Sequence, residues 1–202
     1  MSSDTPITEK YFALVPDRQC GECMICCEYL PISCATLKKP AETLCPHCIV
    51  NKGCSIYQQR ANVCRTWHCL WRRDGAMPDE LRPDRSGIIF SLVVHEEPRY
   101  LFEDAHITCM AVKTKAVFEA PLVSATIQRY IAEGVLPVWH SFGGGKTLVW
   151  PGEELADAIL NPATTRLAEL VPQGKAWRER YESLIEPLQV ANGRFDSLFI
   201  PD

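Results

Sequence analysis

Ten of the eleven cysteines of this 202-residue chain fall between Cys20 and Cys69, and that clustering restricts the fold more than any other feature. A segment so rich in thiols has too few large apolar side chains to fold by burial alone, so it needs covalent cross-links or metal ions. The run CGECMICCEYL carries Cys20, Cys23, Cys26 and Cys27. CPHC follows with Cys45 and Cys48, and Cys54, Cys64 and Cys69 complete the series. The polar start MSSDTPITEK lacks the basic and apolar run expected of a signal peptide, and no stretch approaches the about eighteen apolar residues of a membrane span. The expected location is therefore cytoplasmic, and in a reducing cytoplasm such thiol density points to metal rather than to disulfides.

The spacing has a mechanical meaning. A CxxC pair lets two sulfurs reach one ion through a tight turn whose backbone N–H groups point at sulfur. Cys20/Cys23, Cys23/Cys26 and Cys45/Cys48 are such pairs. With Cys27, Cys54, Cys64 and Cys69 they exceed what one tetrahedral ion can use, so about two ions, or a multinuclear cluster, are expected. Successive side chains leave the backbone in different directions, which suggests that Cys26 and Cys27 serve neighbouring ions. Zinc is the preferred cofactor. Iron or an iron–sulfur cluster is the alternative, since CxxCxxC matches the first three ligands of bacterial ferredoxins, with Cys45-Pro46 as a remote fourth. Cys34, His47 and His68 are further candidate ligands, Cys34 and the two histidines competing with packing and surface roles. Cys109 stands outside the cluster and reads as core.

CGECMICC, CPHC and GCSIYQQRANVCRTWHC together make residues 20–70 resemble the YkgJ-type cysteine-cluster family, a zinc- or iron-chelating domain with a CxxCxxCC signature. The second half of that signature is matched by Cys54, Ile56, Tyr57, Arg60, Cys64 and Arg65; the family's usual proline after the arginine is Ala61 here. The resemblance implies metal chelation and assigns no general catalytic activity. Some members accompany protein modification such as flagellin lysine methylation, but no methyl-donor motif is visible in this chain. Arg60 and Arg65 read either as donors to metal-bound sulfur or as partners of carboxylates.

Beyond the cysteines the sequence is that of an ordinary globular protein, with 47% hydrophobic residues to supply a core and a net charge of −4. That charge gives no general attraction to nucleic acid or anionic lipid. The expected organisation is α+β. An N-terminal tail (1–19) precedes an irregular cysteine-rich metal-binding lobe (20–71), a surface connecting loop (72–86), an α+β part with antiparallel strands (87–190) and a C-terminal tail (191–202). GIIFSLVVH and RYLFED read as a hairpin, LPVWHS and KTLVW as a second one around FGGG. Residues 121–134, GEELADAIL and KAWRERYESLIEPL read as helices, the last with an apolar stripe of Trp177, Tyr181, Leu184, Ile185 and Leu188. FGGGKT lacks the first glycine of a phosphate loop, where His140 stands, and is expected to be a turn. His95, His106 and His140 are scattered singly and form no catalytic spacing. Trp67 and Trp71, four apart, are expected to share a helix face over the metal lobe. Three functions remain open: a structural or chelating metal module that presents a surface to a protein or peptide partner, a metal-dependent enzyme acting on a protein or peptide, and a metal carrier. The first is preferred, and catalysis is not the expected role.

Overall fold

A computed structural model describes residues 6–97 and 99–197, without the side chains of 194–197. Its first half is built of short pieces. Helix α1 (Ile7–Phe12) and helix α2 (Ile25–Tyr29) precede two minimal hairpins, β1 (Ile32–Ser33) with β2 (Lys38–Lys39) and β3 (Cys48–Ile49) with β4 (Gly53–Cys54). One-turn helices α3 (Asn62–Thr66), α4 (Leu70–Arg73) and α5 (Pro83–Ser86) follow. No amphipathic run here is long enough to sustain more than a turn, so each element depends on tertiary contacts.

The second half holds a four-stranded sheet in the order β5 (Ile88–Val94), β6 (Ala105–Ala111), β7 (Val138–Phe142), β8 (Gly145–Trp150). The outer pairs are antiparallel, and β6–β7 is parallel, with Ile107 opposite Val138 and Met110 opposite Ser141. A parallel pair needs a crossover, and α6 (Pro121–Glu133) supplies it. Pro121 opens that helix and Gly134, at φ +58°, closes it by donating to the carbonyls of Ile131 and Tyr130. Gly143 and Gly144 have φ of +57° and +79°, as the tight β7–β8 turn requires. Helix α7 (Glu153–Leu160) and the long α8 (Val171–Ser197) complete the chain. The α+β class holds, and the helices at 121–134, GEELADAIL and KAWRERYESLIEPL lie where the periodicity places them.

Several expectations are corrected. RYLFED is a turn rather than a strand; Phe102 in it is fully buried, and the partner of β5 is the following run, Ala105–Ala111. Residues 7–12 are no tail, because Tyr11 and Phe12 enter the core from α1. Nor do residues 191–197 form a tail: α8 continues through them, and residues 198–202 lie outside the described residues. Trp67 ends α3 and Trp71 lies in α4, so the two share no helix, although both wall the same cavity.

Residues 72–86 are no surface loop either: Arg72, Asp74, Met77, Leu81 and Pro83 are buried. Asp74 Oδ2 accepts hydrogen bonds from Tyr130 Oη at 2.6 Å and Arg129 Nη2 at 2.5 Å on α6, while Oδ1 accepts from Ala76 N at 2.9 Å. Arg18 donates to the carbonyls of Trp71 (2.6 Å), Asp74 (2.8 Å) and Met77. Arg73 donates to Tyr11 O and Thr66 O at 3.1 and 3.0 Å. Arg18 stands two positions before Cys20 and grips carbonyls that begin two positions after Cys69, so one guanidinium ties together both ends of the cysteine segment.

Candidate functional site

Between those ends the chain folds its thiols inward. The backbone N–H of Cys23 donates to Cys20 O and that of Cys48 to Cys45 O, each at 2.9 Å, closing the two CxxC turns. Cys45 N donates to Cys27 O at 3.0 Å and lays the second turn against α2. In the β3–β4 hairpin Cys48 stands opposite Cys54. Gly53, at φ +87°, lies so close to the carbonyl of Gly21 that a Cβ there would overlap it. Only glycine lets the β3–β4 hairpin approach the first CxxC turn at this point.

These contacts enclose a cavity of about 270 Å³ walled by Cys20, Cys23, Cys26, Cys27, Cys45, Cys54, Cys64 and Cys69. Leu30, Ile32, Leu37, Ile56, Trp67 and Ile89 of β5 form its apolar sides, and no Asp or Glu is among its lining residues. Cys48 reaches the group through a hydrogen bond with Cys27. All eleven cysteines are free thiols.

The sulfurs fall into two neighbourhoods. Cys26 interacts with Cys20 and Cys69, and Cys69 with Cys20 and Cys23. Cys48 interacts with Cys27, Cys45 and Cys54, while Cys54 and Cys64 each interact with Cys27 and Cys45, and Cys64 also with Cys34. The boundary runs between the adjacent residues Cys26 and Cys27, whose Sγ atoms are 4.0 Å apart. The hydrogen bond between them drives the Cys26 thiol well up and holds Cys27 down at about 6. Burial pushes Cys23 and Cys64 up to about 11 and Cys69 up to about 12. Backbone N–H groups of Ile25, Ile56 and Trp71, each two residues on, point at the sulfurs of Cys23, Cys54 and Cys69 and favour their thiolate forms.

His47 and His68 wall the cavity. His68 Nδ1 lies 3.3 Å from Thr66 O, and burial, with the charge of Arg73, lowers its imidazole to about 4. Arg60 also faces the cavity, with its guanidinium 3.9 Å over the Tyr57 ring; Arg65 is not among the lining residues. Cys34 sits outside, in the β1–β2 turn, where its Sγ meets Thr36 Oγ1 at 3.6 Å and Leu37 O at 3.4 Å. Cys109 is wholly buried in β6, as expected of a core residue. His95 and His106 are ring neighbours at 6.1 Å and His140 stacks on Phe118, and none of the three lines the cavity.

Two cations at the site have no counterpart in the sequence reading. Arg72 lines the cavity and is 8% exposed, and Lys39, 6% exposed, stands behind Cys27. Arg72 lies in a charged run that reads as surface, and Lys39 is one of two adjacent lysines in a two-residue strand, so neither carries a local signal.

The residues that could hold a metal are thus sulfur and imidazole donors without a hard oxygen ligand, the set that suits zinc, copper(I) or iron–sulfur. As they stand, no three His, Cys, Asp or Glu side chains among the described residues are disposed to hold an ion. The sulfurs of a tetrahedral zinc site lie about 3.8 Å apart for Zn–S bonds of about 2.3 Å, so closure on an ion requires the thiols to rotate inward. Comparison with protein-family models, with curated proteins and with solved structures finds no match to this chain.

Proposed function

We propose that the chain is a thiolate metal-binding protein that holds about two zinc ions, with a structural or protein-interaction role. Cys20, Cys23, Cys26 and Cys69 form the first ligand set, and the second draws four ligands from Cys27, Cys45, Cys48, Cys54 and Cys64. The observation that carries this reading is the convergence of eight cysteines, none in a disulfide, on one cavity whose lining lacks carboxylates. The resemblance of residues 20–70 to the YkgJ-type family supports the same chemistry. Thiolate sets of this kind keep no open coordination position, which favours a structural centre over a catalytic one. An iron–sulfur cluster in the first set is the second reading, favoured by its CxxCxxC run. Cys69 then replaces the Cys45-Pro46 ligand that the ferredoxin pattern suggests, since Cys45 belongs to the other neighbourhood.

Metal and fold are coupled in this account, because the cysteine segment has little core of its own. A strong chelator should abolish amide protection within residues 20–70 while β5, β6 and α6 keep theirs, as read by hydrogen exchange. Unchanged protection across 20–70 would reject metal-dependent folding.

A further inference from the structure

Ionised groups are buried at a cost of several kcal/mol unless an opposite charge accompanies them. Arg72 breaks that rule as the thiols stand. Its Nε and Nη1 have no hydrogen-bond partner, and it makes no ion pair among the described residues. Arginine cannot escape by losing its proton. It faces the cavity from α4, and its backbone N–H donates to Cys69 O at 3.0 Å. Lys39 is a second buried cation, one whose donors are satisfied but which makes no ion pair among the described residues. Its Nζ donates to the carbonyls of Glu28 (3.1 Å), Leu30 (2.5 Å) and Pro40 (2.9 Å), three dipoles without an anion, around the turn that follows Cys27. Arg60 adds a third cation, its Nε likewise unpartnered. Asp84, which interacts with Cys23, is already held by Arg82 through two contacts of 2.7 Å. No Asp or Glu lines the cavity among the described residues, so besides the Tyr57 phenol it is the sulfurs that can supply compensating negative charge.

We propose that Arg72 and Lys39 are the charge partners of two anionic thiolate centres, Arg72 for the Cys20, Cys23, Cys26 and Cys69 set and Lys39, with Arg60, for the set that includes Cys27. This assignment rests on the metal-thiolate reading above. A divalent ion with four thiolates carries a net charge of about −2, so two such centres balance most of their charge against these three cations. The cations position and stabilise the sulfurs without ligating metal, and each acts only when the thiols are deprotonated onto an ion.

The test is Arg72→Met in the full chain, compared with the wild type in zinc-loaded and chelator-stripped forms by thermal denaturation and by competition for Zn²⁺ against a colorimetric chelator. The variant should lower the melting temperature of the loaded form without lowering that of the stripped form, and should weaken zinc binding about 10- to 100-fold. Arg72→Lys, which keeps the charge, should recover most of both losses. Lys39→Met should weaken zinc binding likewise, but should lower the melting temperature of both forms because three carbonyls lose their donor; Lys52→Met, on the exposed β3–β4 turn, should change neither quantity. An equal fall in melting temperature for the loaded and stripped forms, or unchanged zinc affinity, would make Arg72 a packing residue and overturn the proposal while leaving metal binding intact. A wild-type chain that takes up no zinc overturns both.

Discussion

Cys69→Ser is expected to remove about one metal ion per chain and to lower the melting temperature of the whole protein. The proposed first set takes all four of its sulfurs, Cys20, Cys23, Cys26 and Cys69, and leaves none spare, since the adjacent Cys27 is assigned to the second set. Cys69 is also the sulfur that joins the proposed set across the chain, since the other three lie within one short run. It stands at the entry to α4, directly before the buried Leu70 and Trp71. Its loss therefore reaches the core that α4 shares with α1 and β5. The second neighbourhood contains five sulfurs, one more than a tetrahedral ion takes. Cys54→Ser should accordingly retain its ion with reduced affinity, and Cys34→Ser, outside the cavity, should change neither content nor stability. Metal content by elemental analysis of the three variants separates these outcomes; equal loss in all three would dissolve the distinction between the sets.

Asp74→Ala should destabilise the protein by about 3 kcal/mol, the cost of leaving a buried charge network with one partner removed. Tyr130 Oη, fully buried, would lose its acceptor, and Arg129 would keep its 3.3 Å contact with Glu133 and its place over the Tyr130 ring. The network also gives a pH signature. Burial raises the Asp74 carboxyl, but hydrogen bonds from Tyr130 and Arg129 prevail and hold it below its usual 3.8. A carboxylate with a depressed folded value contributes stability that is fully present above the unfolded value and is lost as pH falls through the folded one. Wild-type stability should therefore fall below about pH 4, and Asp74→Ala should flatten that fall; identical acid limbs for the two proteins in urea denaturation would contradict the assignment.

What could be read in advance depended on whether the signal was local. The α6 boundaries follow from Pro121, Gly134 and the 3.6-residue period between them, and the β7–β8 turn follows from paired glycines; both are properties of a few neighbouring residues. The β5–β6 hairpin was harder, because Leu101 and Phe102 give its loop the look of a strand. Phe102 is apolar for another reason: it packs beneath Tyr100 and Trp177, at ring distances of 5.4 and 5.7 Å. The parallel β6–β7 pair leaves no mark in either strand's sequence. Residues 72–86 misled in the opposite sense, since their charges look solvated although Arg72 and Asp74 are buried, Asp74 against Arg129 and Tyr130 more than fifty positions away.

The candidate site divides along the same line. The cysteines announce themselves by spacing, and the Cys26–Cys27 pair marks the boundary between two sets before any fold is known. Which remote sulfur joins which set does not follow from spacing: Cys69 meets the first CxxC turn because Arg18 ties residues 71–77 to the chain before Cys20. Lys39 and Arg72 depend wholly on tertiary placement.

The central claim is best tested by elemental analysis and the visible absorption spectrum of the full chain purified without oxygen. About two zinc ions per chain and a colourless solution are predicted. A folded protein that is free of metal, with its cysteines open to alkylation, would contradict the account. A brown protein with acid-labile sulfide would replace zinc with an iron–sulfur cluster in the first set.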